Sequence, residues 1–216
     1  MNKFKQLLVV LCLVLFSFPT VSFAFSLSSI FSTENSEVNL YESRLQAWQT
    51  LIKENKNSSD WQKINKVNQF FNRVNFVEDN SQWGVEDYWA SPREFLTRNA
   101  GDCEDYAIAK YFTLKAMGVP VTRLRITYVT TLPSQQAHMV LVYLEGADKT
   151  PLVLDNLQKA IVSFSERVDL DPVYSFNNNG LWLAYRDMTK AQLVGSTQQV
   201  GHWQVLSDKM SEERVL

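Results

Sequence analysis

The sequence predicts an α+β domain in which a helical lobe packs on an antiparallel sheet. Two observations carry that reading: apolar residues recur at helical spacing through the first half, and runs of β-branched and aromatic residues take over from Val121. With 6 Trp, 13 Phe and 8 Tyr, the chain has the apolar bulk for a sizeable core.

Residues 1–24 stand apart from this domain. Lys3 and Lys5 precede an apolar run from Leu7 to Phe18, and Ser22-Phe23-Ala24 supplies small residues where a signal peptidase reads. Cleavage is expected between Ala24 and Phe25, leaving residues 25–216 as one periplasmic domain with no stable membrane anchor. A retained anchor is the rival reading, but the run is short against the roughly 20 residues of a span, and no basic stop follows it. Cys12 leaves with the leader, so Cys103 is the single mature thiol and no internal disulfide can form. Loss of the two leader lysines takes the formal charge from −2 to −4, which argues against nucleic acid as a partner. One cysteine and two histidines offer no dense zinc site.

Leu45, Trp48, Leu51 and Ile52 mark a first amphipathic helix. After the polar break from Lys53 to Asp60, Trp61, Ile64, Val67, Phe70 and Phe71 mark a second. Trp83, Tyr88 and Trp89 lie in a stretch without clear periodicity. Ser91-Pro92-Arg93-Glu94 then combines an N-cap serine, proline at the first helical position and glutamate three residues after the cap, which starts a short helix running to about Thr97. Asn99-Ala100-Gly101 breaks the chain. From Cys103, the residues Ala107, Ile108, Tyr111, Phe112, Leu114 and Ala116 describe a helix with a broad apolar face, stopped by Gly118 and Pro120. Val121 to Val129, Ala137 to Leu144 and Pro151 to Leu154 read as strands, the last two joined by a Glu145 to Thr150 turn. Further strands are expected near Ala160 to Phe164 and His202 to Leu206, and Asn177 to Gly180 reads as a surface loop.

The chemistry concentrates at Gly101-Asp102-Cys103-Glu104-Asp105, where a polar loop meets a helix start. His138 opens the most hydrophobic strand and Asp155 closes the next, so hairpin neighbours can bring both to one rim. In that order Asp155 orients the imidazole, His138 takes the proton of the Cys103 thiol, and the helix N-terminus favours thiolate and a developing oxyanion. On spacing alone Cys103 reads more readily as a small buried hydrophobe and His138 as a partly satisfied polar residue. His202 is an alternative base with no obvious aspartate behind it. The acids beside Cys103 can be explained as complements to the helix dipole.

The run Asn99-Ala100-Gly101-Asp102-Cys103-Glu104-Asp105-Tyr106, with Ala137-His138-Met139-Val140-Leu141 and Leu154-Asp155-Asn156, resembles the bacterial transglutaminase-like cysteine proteinases, and among them the periplasmic adhesin-releasing enzymes. The likeness runs roughly from Trp61 to Trp203, with the domain core at about 61–206. It implies a papain-like, transglutaminase-core fold with the nucleophile helix packed on an antiparallel sheet, and the roles of nucleophile for Cys103, base for His138 and orienter for Asp155. It also implies a Ca2+ site at Asp102 and Glu104, with Asp105 as a possible extra ligand; a hard cation would relieve the repulsion among these carboxylates. The implied substrate is the N-terminal linker of a large repetitive surface adhesin, cut near paired alanines to release it and disperse a biofilm. The implied partner is the periplasmic domain of an inner-membrane cyclic di-GMP receptor. Amide exchange or deamidation by the same three residues, and a non-catalytic binding module, are the competing readings.

Overall fold

The computed structural model describes residues 27–146, 149–185, 188 and 190–213, with side chains from residue 39 onward, so the expected processing site at Ala24 lies outside the described residues. Five helices and two short strands come first: α1 (Leu27–Asn55), α2 (Asp60–Phe71), β1 (Asn75–Phe76), α3 (Asp79–Gln82), α4 (Pro92–Arg98), β2 (Ala100–Gly101) and α5 (Cys103–Ala116). The strands β3 (Leu124–Thr131), β4 (Ala137–Tyr143), β5 (Leu152–Leu154), β6 (Val162–Ser163), β7 (Leu170–Asn177), β8 (Gly180–Leu183) and β9 (Gln192–Gly195) follow, and then α6 (Gly201–Glu213). These seven strands make one antiparallel sheet in the order β6-β5-β4-β3-β7-β8-β9. The α+β arrangement expected from the sequence is the one the chain adopts. Among the described residues, no helix is long and apolar enough to cross a membrane.

Alternation along β4 gives the sheet two apolar faces. Met139, Leu141 and Tyr143 join the cluster formed with α1, α2 and α5, whereas Val140 and Val142 pack on the other side with Val129, Val153, Phe164 and Leu170. Helix α5 packs across β4 and β3 and is itself covered by α2 and α4. Its expected amphipathic character gives way to burial all round, since even Lys110 and Thr113 are 0% exposed. Thr113 Oγ1 accepts a 2.7 Å hydrogen bond from Trp48 Nε1 of α1, which satisfies both buried groups.

Local signals place the helix boundaries. Ser91 and Glu94 form the expected capping box: Glu94 N–H donates to Ser91 Oγ at 3.2 Å, and Ser91 N–H donates to Glu94 Oε2 at 2.9 Å. Loss of such a cap costs about 1 kcal/mol. Ser59 and Gln62 do the same for α2.

Three expectations need correction. The strand expected at His202 to Leu206 is the first turn and a half of α6: Trp203 and Leu206 are buried while Val205 is 66% exposed, a spacing of three rather than two. Asn177 to Gly180 is at the surface only at Asn178 and Asn179, the exposed tip of the tight turn between β7 and β8, while Asn177 and Gly180 are the buried ends of those strands. Asn177 there is buried, its amide donating to the carbonyls of Val121 at 3.0 Å and Leu124 at 2.8 Å. The strand expected from Val121 begins only at Leu124, because Val121–Arg123 coils into a 3-10 turn after Pro120.

Candidate active site

The chain reaches Cys103 through a constrained approach. Asn99 ends α4 in the left-handed conformation at φ 53°, after which β2 pairs in parallel with β1. Gly101 allows the next step, since a Cβ there would stand 2.3 Å from Asp105 Oδ2 and 2.7 Å from the Phe95 ring. Asp102 occupies the N-cap position of α5, yet its side chain makes no capping bond. It turns instead toward the Asp79 backbone N–H and Glu104.

Cys103 and His138 line the same cleft, of about 730 Å³, and the backbone N–H of Met139 lies against the sulfur. His138 Nε2 meets Asp155 Oδ1 at 2.9 Å with both side chains buried, which leaves Nδ1 as the nitrogen open to a thiol. The Leu157 N–H donates to the same Asp155 oxygen at 3.0 Å, and Arg167 Nη1 donates to Oδ2 at 2.7 Å. Burial opposes ionisation of Asp155, but His138, Arg167 and Leu157 outweigh it and hold the carboxyl well below the usual range. Lys110 is the other buried cation nearby. Its Nζ has no hydrogen-bond partner, and burial lowers its pKa to about 7 against the pull of Asp155.

The acidic side of Cys103 holds more groups than the sequence suggested. One ligand atom each from Asp79, Asp102 and Asp105 lies within 4.8 Å of the others, and the same holds for Asp79, Asp87 and Glu104. Asp105 Oδ1 accepts from Ala90 N–H at 2.8 Å, and Asp79 accepts from Tyr88 N–H. Even so, Asp79 Oδ1, Asp102 Oδ1 and Asp105 Oδ2 are buried with no hydrogen-bond partner. Burial first, and then the charge of neighbouring acids, raises Asp79 to about 6, Asp102 to about 8 and Glu104 to about 7, with Asp105 also well above its usual range. A hard dication satisfies orphaned carboxylate oxygens of this kind, so the donor set fits calcium. Without such a charge the thiol is held protonated: burial chiefly, and then the charge of Glu104, push it well up, and Sγ donates to Glu104 Oε2 at 3.2 Å.

Of the six candidate residues from the sequence, Asp102, Cys103, Glu104 and His138 line this cleft, while Asp105 and Asp155 are buried behind it, Asp105 grouped with Asp102 and Asp155 bonded to His138. The two added by the structure, Asp79 and Asp87, sit in the aperiodic stretch before α4, where no motif marks them. Arg167 was equally unmarked. His202 lines the cleft too, but it stacks on Trp89 at 5.5 Å and its Nε2 lies 3.4 Å from Asp87, so it has an aspartate the sequence did not reveal. The cleft floor continues away from His138 as a cross-strand row of Met139, Tyr128, Tyr174 and Leu183.

Comparison with known proteins bears on the fold and the family. Legionella pneumophila LapG is 44% identical with a TM-score of 0.70, over 79% of this chain and 89% of that one. Its EGTA-treated form is 45% identical at 0.71 over the same shares, and its calcium-bound form is 42% identical at 0.68, over 82% of this chain and 98% of that one. No curated protein matched the chain. The family model described as bacterial transglutaminase-like cysteine proteinase matches residues 39–186, and the chain belongs to that family.

Proposed function

We propose that the chain is a calcium-dependent cysteine endopeptidase in which Cys103, His138 and Asp155 form the catalytic triad. The observation that carries this is the buried His138–Asp155 pair, 2.9 Å apart, sharing a cleft with the thiol at the start of α5. His138 Nδ1 accepts the thiol proton as Sγ attacks the carbonyl carbon of the scissile peptide. The oxyanion forms beside the backbone N–H groups of the first turn of α5, where a helix has donors without intrahelical acceptors. His138 then passes the proton to the leaving amine, and the C–N bond breaks to leave a thioester. Water, deprotonated by the same imidazole, attacks the thioester, the C–S bond breaks and the thiol is restored. Asp155 holds the Nε2–H tautomer and stabilises the imidazolium throughout.

Calcium held by Asp102 and Glu104, with Asp79, Asp87 and Asp105 as further donors, would supply positive charge beside the helix start. The chain's own residues do the rest: Asp102 and Glu104 flank the nucleophile, and Gly101 fixes the approach.

The row from Met139 to Leu183 suits an extended polypeptide laid across the strands. Together with the family, it supports the reading that the substrate is the N-terminal linker of a large surface adhesin, cut near paired alanines in the periplasm to disperse a biofilm. A periplasmic receptor domain governed by cyclic di-GMP is the proposed controlling partner. Incubating residues 25–216 with adhesin-linker fragments, in calcium and in chelator, tests the reading. Calcium-dependent cleavage supports it; ammonia release without chain cleavage would replace it with deamidation.

A further inference from the structure

We propose that Arg167 is a positioning residue for this reaction, holding Asp155 so that a single carboxylate oxygen is presented to His138. The inference rests on the reading of Cys103, His138 and Asp155 as the reacting set, and it extends that set to a residue on a different strand connection.

The geometry is specific. Asp155 is 1% exposed and its two oxygens are divided: Oδ1 takes His138 Nε2 at 2.9 Å and Leu157 N–H at 3.0 Å, and Oδ2 takes Arg167 Nη1 at 2.7 Å. A carboxylate held on one oxygen alone can turn about its Cβ–Cγ bond, which would withdraw Oδ1 from the imidazole. Arg167 removes that freedom because its own plane is fixed from the other edge: Nε donates to Asp169 Oδ1 at 2.9 Å and Nη2 to Asp169 Oδ2 at 2.8 Å. One planar fork thus spans two carboxylates, and the fork cannot rotate without breaking two parallel bonds.

The backbone delivers Arg167 firmly. It follows a 3-10 turn, Phe164–Glu166, closed by a Ser163–Glu166 capping box; its N–H donates to Phe164 O at 3.1 Å and its carbonyl accepts from Leu170 N–H at 3.1 Å. The side chain is nearly as buried as Asp155, at 2% exposure, while Asp169 is 48% exposed and anchors the outer end. A general ion pair needs only neutralisation. This arrangement also fixes an angle, and a lysine could supply the charge but not the two-edged plane.

The test uses the full mature chain labelled with 15N-histidine, since the sequence holds only His138 and His202. In the wild type, His138 should show the Nε2–H tautomer with a low-field proton shared with Asp155. Arg167→Lys should lose that signal and lower kcat roughly 10- to 100-fold on an adhesin-linker peptide while KM stays nearly constant, as expected for a misplaced catalytic group. Asp169→Asn keeps the arginine but frees its outer edge, should move both readouts the same way by less, and carries the test if Arg167→Lys does not fold. In an Asp155→Asn background, Arg167→Lys should cost little further, because its effect runs through Asp155. An unchanged His138 spectrum in the folded variant, or the same fold-loss in both backgrounds, overturns the proposal. The imidazole spectrum needs no substrate, so a wild type that cleaves no peptide would refute the protease reading and leave this test standing.

Discussion

On one side of Cys103, His138, Asp155 and Arg167 form a buried chain in which each charge meets a partner; on the other, Asp79, Asp102 and Asp105 each keep a buried oxygen with none. Burial is similar on the two sides, and the outcomes are opposite. Burial opposes ionisation on both sides: at Asp155 the partners His138 and Arg167 outweigh it and hold the carboxyl low, whereas at Asp102 burial, and after it the neighbouring Glu104, raises the carboxyl to about 8. The first side is preorganised by the protein's own residues. The second leaves buried carboxylate oxygens without a partner, a donor set that fits a hard cation.

The largest effects should come from breaking the preorganised side. Cys103→Ala should keep the fold and abolish cleavage, and His138→Ala should lower kcat/KM by about 10²- to 10⁴-fold. Circular dichroism beside a cleavage assay reads both; normal turnover by the folded cysteine variant eliminates a thiol mechanism. On the incomplete side, Asp102→Ala and Glu104→Ala should lose calcium heat and activity together while most of the fold survives, and Asp79→Asn should follow them. Calorimetric titration with calcium and with magnesium checks this, magnesium being the poorer fit because of its smaller, stricter shell. Full activity in chelator with no calcium heat would return the acids to their helix-dipole explanation.

Gly101→Ala sharpens the contrast from the backbone. Its Cβ would meet Asp105 and Phe95, both buried, so a loss of about 1–3 kcal/mol is expected by thermal unfolding, with weaker calcium binding as the distinguishing sign.

The two sides should also respond oppositely to pH. Asp79, Glu104 and Asp102 have folded pKa values of about 6, 7 and 8, above their ordinary values of 3.8, 4.5 and 3.8. Their contribution is therefore fully present below the ordinary values and is lost as pH rises through the folded ones. Asp155 runs the other way, contributing above 3.8 and losing that contribution only as pH falls toward its depressed folded value. Lys110, lowered to about 7, matters chiefly above that pH. Metal-free protein should thus gain Tm on acidification from about pH 7 to about pH 5, and calcium should flatten or reverse the trend because the ion needs deprotonated oxygens. A metal-free Tm that falls over this window would contradict the assignment. The smallest effect is expected at the cleft wall, where His202→Gln should change kcat by no more than about twofold. A loss as large as that of His138→Ala would make His202 the base.

What could be read from the sequence was what neighbours in the chain decide. The Ser91–Glu94 cap, the stop at Gly118 and the β4–β5 pairing all rest on local chemistry, and the structure has them. A hairpin and a helix start allow Cys103, His138 and Asp155 to meet, whereas the roles of Asp102, Glu104 and Asp105 as metal ligands come only from the family resemblance. Helix α6 was misread because His202-Trp203-Gln204-Val205-Leu206 is too short to separate a period of two from one of three to four. β7, β8 and β9 were not anticipated, and Leu193 and Val194 of the last are exposed, so burial leaves no alternating pattern there. Asp79, Asp87 and Arg167 carry no signal for a different reason: each sits beside an ordinary acid in the chain, and the site residues they meet, Asp102, Glu104 and Asp155, lie 12 or more positions away.

Helix α5, shielded on every face, sets how this molecule should fail. Its amides exchange with solvent only through openings that strip away α1, α2 and the sheet together, so they should be among the slowest to exchange. Cys103, the proposed nucleophile, rides on the first turn of that protected helix. Loss of the thiol's placement on heating should accordingly coincide with collapse of the entire domain, and activity should persist undiminished until that single event.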